Sequence, residues 1–349
     1  MGYDAFLLLS FGGPEGPDDV MPFLRNVTRG RGIPEERLAA VAEHYMHFGG
    51  VSPINEQCRE LIAALGKQFA ADDIGLPIYW GNRNWQPYLT DTLAQMRADG
   101  VTSALAFVTA AYGGYSACRQ YLEDIDRARA ELGDGAPVVD KIRQFHDHPG
   151  WITSHGEAVA TALSELPPER RSSTRLVFTA HSVPLSAAAA AGPDGGNHRY
   201  ENQLRETCAL VAEAVAPEVS WDLVWQSRSG PPQVPWLEPD INDHLAAIAA
   251  DGVTSVVVSP IGFVSDHLEV IWDLDNEAAV TAARLGLDYV RAATPGTHPA
   301  FVGMIAELVR ERTEGATPRK LGTVPDWDTC RPGCCTLPAR PSRPLATSA

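Results

Sequence analysis

Short apolar runs alternate with longer amphipathic segments from one end of the chain to the other. The runs lie at 5–10, 77–81, 104–109 and 138–142, and again at 176–180, 222–226, 255–259 and 289–292. Between them apolar residues recur at helical spacing, as at 56–71, 120–132, 153–166, 199–215 and 241–250. Short strands alternating with helices predict an α/β protein with largely parallel sheets. The two sets of strands echo one another. AFVTAAYGGYS at 106–116 and VVVSPIGFVSD at 256–266 match in role and spacing, and the pairs His148-Pro149 and His298-Pro299 stand 150 residues apart. Proline is well placed in a helix's first turn, so each pair reads as a helix start. The expectation is two doubly wound domains of similar topology, 1–150 and 151–325, with a cleft between them and a cysteine-containing segment at 326–349.

In such folds ligands lie beyond the carboxyl ends of the strands. Four of those ends carry unusual residues: Ser10-Phe11-Gly12-Gly13-Pro14, Tyr112 to Ser116, His181-Ser182-Val183-Pro184 and Gly262 to Glu269. His181 directly follows a strand, where a neutral imidazole is a natural proton acceptor near pH 7. Ser182 beside it lacks the G-x-S-x-G elbow of a serine hydrolase. Residues 262–278, GFVSDHLEVIWDLDNEA, read as an α-helix and stack Glu269, Asp273 and Glu277 at i, i+4 and i+8. Like charges at that spacing repel by about 0.2–0.5 kcal/mol per pair. A neighbouring stripe of Val270, Ile271, Leu274 and Ala278 can hold the helix on a core. The stripe is either a solvated acidic face or a row of carboxylates handling protons or a divalent cation, ending at His267 and Ser265.

Other segments add less. Trp225-Gln226-Ser227-Arg228 with Trp236-Leu237-Glu238-Pro239 reads either as a structural loop or as an arginine placed among aromatics for binding. Arg29 and Arg31 can pair with substrate carboxylates or stand as solvated surface. Neither a Walker A motif nor G-x-G-x-x-G follows a strand, so nucleotide binding is not expected. The Ala/Gly-rich stretch 187–197 reads as a mobile loop, and 338–349 as a disordered tail.

Composition and charge narrow the class. A length of 349 residues suits two domains, and 44% hydrophobic with 21% charged residues is that of a soluble globular protein. A net charge of −16 argues against nucleic acid as a partner. No apolar run approaches the roughly 20 residues of a membrane span, and the N-terminus lacks signal-peptide features, so the expected location is the cytoplasm. Cys330, Cys334 and Cys335 crowd one turn-rich segment. A four-thiolate site needs a further ligand from Cys58, Cys118 or Cys208, of which Cys118, just after a strand, is the best placed. Residue type alone leaves zinc, an iron–sulfur cluster and an incidental thiol group open.

Taken together, LLLSFGGPEGPDDVMPFLRNVTRGRG, HFGGVSPIN, AYGGYSACRQYLEDI, FTAHSVP, WQSRSGP with PWLEP, and GFVSDHLEVIWDLDNEA resemble the ferrochelatases, in particular the actinobacterial coproporphyrin III branch. The resemblance runs over nearly the whole chain. It implies two Rossmann-like domains, each a parallel four-stranded sheet, with a porphyrin cleft between them, and insertion of Fe²⁺ into coproporphyrin III. By the same resemblance His181 and Glu269 are catalytic and meet the substrate iron, and Asp273 and Glu277 form an acidic relay. Arg29, Arg31, Tyr45, Ser52 and Tyr121 fall where relatives contact porphyrin propionates. Cys118, Cys330, Cys334 and Cys335 match the ligands of a 2Fe–2S cluster. Phe11 departs from the pattern, standing where some bacterial relatives have a tyrosine near the metal. The resemblance further implies a monomer with transient contacts to neighbouring haem-pathway enzymes. Competing readings are a protoporphyrin IX ferrochelatase, a cobalt chelatase of related fold, and a tetrapyrrole or iron carrier that inserts nothing.

Overall fold

The computed structural model describes residues 2–336 other than 172, 194–196 and 231–232; the expected tail at 338–349 lies outside the described residues. Among the described residues eight strands form two four-stranded sheets. The first sheet holds β1 (Ala5–Ser10), β2 (Ile78–Asn82), β3 (Ser103–Val108) and β4 (Val138–Lys141). The second holds β5 (Arg175–His181), β6 (Trp221–Gln226), β7 (Ser255–Ser259) and β8 (Asp288–Arg291). Every pairing is parallel, and the orders β2-β1-β3-β4 and β6-β5-β7-β8 repeat one topology. The expected doubly wound α/β architecture is therefore the observed one, with strand limits shifted by a residue or so.

Burial on both faces explains why the strands read as continuous apolar runs. All six residues of β1 are buried: Phe6 and Leu8 face one core, and Ala5, Leu7 and Leu9 the other. Each leucine so enclosed contributes about 1.5–3 kcal/mol. β7 repeats the device, with Val257 in one core and Val256 and Val258 in the opposite one.

One hydrophobic cluster runs through both halves, from Phe6 and Phe107 to Phe178 and Phe301. Three helices seal it: Ile54–Ala71, Pro149–Glu165 and Pro299–Thr313. The two His-Pro pairs do start helices. His148 Nδ1 accepts from the Gly150 amide at 3.1 Å, and His298 Nδ1 from the Ala300 amide at 3.2 Å. Where these helix starts cross, a Cβ on Gly150 would lie 2.4 Å from the Ala300 carbonyl oxygen, so only glycine allows the approach.

Two local expectations need correction. The stretch expected as a mobile loop at 187–197 contains part of a helix, Leu185–Ala190, as its run of alanines favours. The residue after it, Ala191, is buried, and Gly192 exchanges hydrogen bonds with Cys335. The acidic segment is not a plain α-helix: after one turn at Leu268–Val270 it continues as a π-helix, Ile271–Ala278.

In each sheet the chain reverses direction of progress between the two central strands, β1 and β3 in the first and β5 and β7 in the second. Crevices open at the carboxyl ends of such pairs. All four unusual strand ends fall at these two switch points.

Candidate active site

His181 is the last residue of β5, and its side chain keeps 36% of its surface open. Its Nδ1 lies 2.5 Å from the Ser182 carbonyl oxygen, so Nδ1 carries a hydrogen and donates, and Nε2 is the nitrogen turned toward Glu269. The main chain there is fixed by the Tyr200 hydroxyl, which donates to the His181 carbonyl at 3.0 Å. The Ser182 hydroxyl donates to Leu237 O at 2.8 Å and is fully buried, consistent with no nucleophilic role.

Across from His181, Glu269 Oε2 stands 3.7 Å from Nε2. It belongs to the acidic helix, which is seated by Val270, Leu274 and Ala278 in the core beside β7. In an α-helix each step of four residues turns the direction by about 40°. In the wider i→i+5 turns the drift runs the other way; Val270, Leu274 and Ala278 are buried in that core, while Glu269, Asp273 and Glu277 are more open. Such π segments are frequent at functional sites.

Asp273 accepts from Gln226 Nε2 at 3.1 Å and from the Ser227 hydroxyl. Burial pushes its carboxyl up to about 7, and the charges of Glu269 and Glu277 add to this, against the lowering effect of the hydrogen bonds from Ser227 and Gln226. Ser227 reaches Asp273 from a left-handed backbone conformation, φ 61°, that costs a non-glycine residue on the order of 1 kcal/mol. Glu277 accepts from Trp272 Nε1 at 2.9 Å. The Trp272 indole stacks on His44 at 3.9 Å between centroids, nearly parallel at 6°. His44 lies on the helix Glu35–His47, which with the helix Pro17–Val27 forms a separate apolar cluster that takes in Leu268. The first half thus closes over the acidic helix of the second.

The remaining expected residues divide. Tyr45, on Glu35–His47, is buried against Phe23, and burial followed by the nearby Glu269 charge pushes its phenol well above the usual range. It therefore shares the site as a neutral hydroxyl. Ser52 is buried where a Cβ on Gly13 would touch it, beside the first switch point. Tyr121 is buried with the Arg83 guanidinium 4.4 Å above its ring, and Arg83 pairs with Asp124. Arg29 and Arg31 are exposed after the helix Pro17–Val27, and among the described residues neither guanidinium has an ion pair. No hydrogen bond among the described residues joins Arg29, Arg31, Ser52 or Tyr121 to His181 or the carboxylate row. Phe11 packs edge-on against Phe23 beneath Arg83.

The site also includes residues that the sequence does not single out. Gln226 and Ser227 lie in the WQSRSGP segment, but it is they, rather than Arg228, that reach the carboxylate row. His44 and Trp272 become visible only when the halves meet.

A second cluster lies apart. Cys118 Sγ is 3.8 Å from Cys330 Sγ and accepts from Gln144 Nε2 at 2.8 Å. Cys334 Sγ is 3.5 Å from Cys335 Sγ, which accepts from the Gly192 amide at 3.2 Å. Sulfur hydrogen bonds from Cys118 and Cys334 lower Cys330, that from Cys334 lowers Cys335, and both donor thiols rise in turn. Cys58 and Cys208 are buried in helices elsewhere.

Two doubly wound halves thus bring an imidazole opposite a row of carboxylates, a candidate site for protons or a divalent cation. The architecture is shared with SirB from Bacillus subtilis, solved with Fe³⁺, at a TM-score of 0.55 and 12% identity, covering 90% of this chain and 98% of that one. The Ferrochelatase family model matches residues 3–313, and the chain belongs to that family. Coproporphyrin III ferrochelatase of Nocardia farcinica is 57% identical over 350 residues, 98% of this chain and 99% of the relative. The coproporphyrin III ferrochelatase of Mycolicibacterium vanbaalenii is 53% identical over 343 residues, 96% of this chain and 99% of the relative. Among the described residues no helix is long and apolar enough to cross a membrane.

Proposed function

We propose that this protein inserts Fe²⁺ into coproporphyrin III to give Fe-coproporphyrin III in haem biosynthesis. The observation that carries the reading is His181 Nε2 open to the cleft and 3.7 Å from Glu269, with Asp273 behind it poised near neutrality. Family membership and the full-length relatives give the reaction its substrate.

Insertion exchanges two pyrrole protons for one Fe²⁺, so the protein must remove protons that water does not take easily. His181 accepts one at Nε2, and its Nδ1–H stays on the Ser182 carbonyl throughout. Glu269 faces the same space, meets the arriving iron, and as a carboxylate takes the second pyrrole proton, which passes by way of Asp273 and Glu277 toward solvent. Asp273 is suited to this because a carboxyl near 7 can both take and release a proton at working pH. The cleft holds the macrocycle bent so that nitrogen lone pairs point at the metal, using binding energy from the rest of the ring. Tyr45, neutral and buried, bounds the cavity near Glu269. Arg29 and Arg31, with Ser52 and Tyr121, serve the propionates; two exposed guanidiniums with no ion pair among the described residues suit a tetracarboxylate better than a dicarboxylate. The test is anaerobic turnover with each porphyrin. Faster insertion into coproporphyrin III is expected, and preference for protoporphyrin IX would move the chain to the other branch.

Cys118, Cys330, Cys334 and Cys335 are proposed to hold a 2Fe–2S cluster. What supports the reading is the donor type and two close sulfur pairs from distant segments, Cys118 with Cys330 at 3.8 Å and Cys334 with Cys335 at 3.5 Å, although the four sulfurs do not close into one group of ligand atoms among the described residues. When bound, the cluster supplies a redox-sensitive cross-link between the first half and the C-terminal segment, and takes no part in the proton transfers. Cys334→Ser should remove the visible absorption of the anaerobically purified protein; a variant as coloured as the wild type would exclude the assignment. The protein is further assigned to the cytoplasm, as a monomer making transient contacts with neighbouring haem-pathway enzymes.

A further inference from the structure

Away from the cleft, three metal-ligating side chains meet under the C-terminal segment. His146 and Asp147 lie between β4 and the helix Pro149–Glu165, and Glu206 lies on the helix Arg199–Val215. One ligand atom from each comes within 4.8 Å of the others. His146 and Asp147 are completely buried.

Hydrogen bonds within the protein leave this group unsatisfied. Both oxygens of Asp147 and the Nδ1 of His146 have no hydrogen-bond partner among the described residues. Arg143 stands 3.8 Å from Asp147, but its donors are committed elsewhere. They go to both oxygens of Glu311, to Asp326, and to the carbonyls of Gln144 and Arg319, which accounts for all five N–H groups of a guanidinium. Lys320 pairs with Asp326. Glu206 is oriented in the opposite sense. Its Oε1 takes the Thr323 and Val324 amides and the Thr323 hydroxyl, which leaves Oε2 turned to His146 Nε2 at 3.2 Å. Two carboxylates gathered here, with the one nearby guanidinium 3.8 Å from Asp147 and hydrogen-bonded elsewhere, are costly to bury.

We propose that His146, Asp147 and Glu206 bind a divalent first-row cation, which fastens the C-terminal segment to the junction of the two halves. One imidazole nitrogen and two carboxylate oxygens suit Zn²⁺ or Fe²⁺, and a 2+ ion balances the two acidic charges. A spacing of 3.2 Å between Nε2 and Oε2 is about that of adjacent ligands on one ion with bonds of about 2.0–2.2 Å. The consequence is local. The Leu321 amide donates to the Asp147 carbonyl, and Thr323 and Val324 hang on Glu206, so the ion anchors the strand of chain that leads to Cys330.

The test uses the full chain, purified without added metal, then given Zn²⁺ and freed of loosely held ion by gel filtration. Crystals read at the zinc edge should give an anomalous peak between His146, Asp147 and Glu206, distinct from any signal at the cleft or the thiols. Asp147→Asn and Glu206→Gln, both close in shape, should each weaken zinc retention at this position by about tenfold or more, as losses around metal sites typically do. Zinc should raise the melting temperature of the wild type more than that of either variant. No peak at the three residues, with only water on Asp147, would overturn the proposal, as would equal melting shifts in wild type and variants.

Discussion

Replacing His181 by alanine should lower the rate of iron insertion by on the order of 10²–10⁴, the usual range for a positioned general base. The loss should fall on kcat and leave porphyrin affinity close to that of the wild type. His181 is anchored through its main chain by Tyr200, and its ring contributes little packing with 36% of the side chain exposed. Removing the imidazole therefore takes away a proton acceptor with little change to the cavity wall. Single-turnover absorption kinetics, with porphyrin binding followed by fluorescence, separates the two effects. Insertion at the wild-type rate with normal binding would remove His181 from the chemistry.

The second large effect concerns Asp273. With its carboxyl held near 7, turnover should fall as pH drops below neutrality, because the protonated acid can no longer accept. Asp273→Asn should cost roughly tenfold or more above pH 7 and flatten that limb of the pH profile. Stability should move the other way. The folded state keeps this proton between the ordinary value of 3.8 and about 7, where the unfolded chain has already lost it. Folded protein thus binds more protons in that window, and stability declines as pH rises through it. The asparagine variant escapes that decline and should be more stable than wild type at pH 8, by about 1–3 kcal/mol once the partial opening of the group to the cleft is discounted. Denaturant unfolding at pH 5 and pH 8 reads the difference. A variant with the wild-type pH profile and no gain at pH 8 would show that Asp273 is an ordinary ionised carboxylate.

The sequence carries most of the fold because the relevant signals are local. The β1 run AFLLLS and the β7 run SVVVS are legible as strands from their neighbours alone, and the His148-Pro149 and His298-Pro299 pairs mark two helix starts without reference to anything distant. Strand ends then place His181 and Glu269 at switch points by topology. What stays hidden is set by contacts across the chain. The π turn at Ile271–Ala278 arises where one helix must seat Val270, Leu274 and Ala278 on the core while keeping three acids on another face, and no local pattern encodes that compromise. Gln226 and Ser227 reach Asp273 from another strand, and His44 finds Trp272 from the other half. Read alone, residues 187–197 are a flexible Ala/Gly-rich stretch; the helix Leu185–Ala190 and the hold of Cys335 on Gly192 make part of it ordered.

The carboxylate row also explains a feature of the acidic composition. A net charge of −16 would ordinarily repel a polycarboxylate, so local placement must outweigh it. Arg29 and Arg31 stand exposed after a first-half helix, whereas Glu269, Asp273 and Glu277 lie on the second half. On the proposed function, anion recognition and cation handling are thereby assigned to different halves.

The most direct test of the central claim is multiple-turnover insertion by the purified wild-type protein, with Fe²⁺ and excess coproporphyrin III under anaerobic conditions. Continued formation of Fe-coproporphyrin III well past one equivalent per chain is the predicted result, and it should be faster than with protoporphyrin IX. Tight binding of the porphyrin with no metallation would contradict the account and leave a carrier in place of an enzyme.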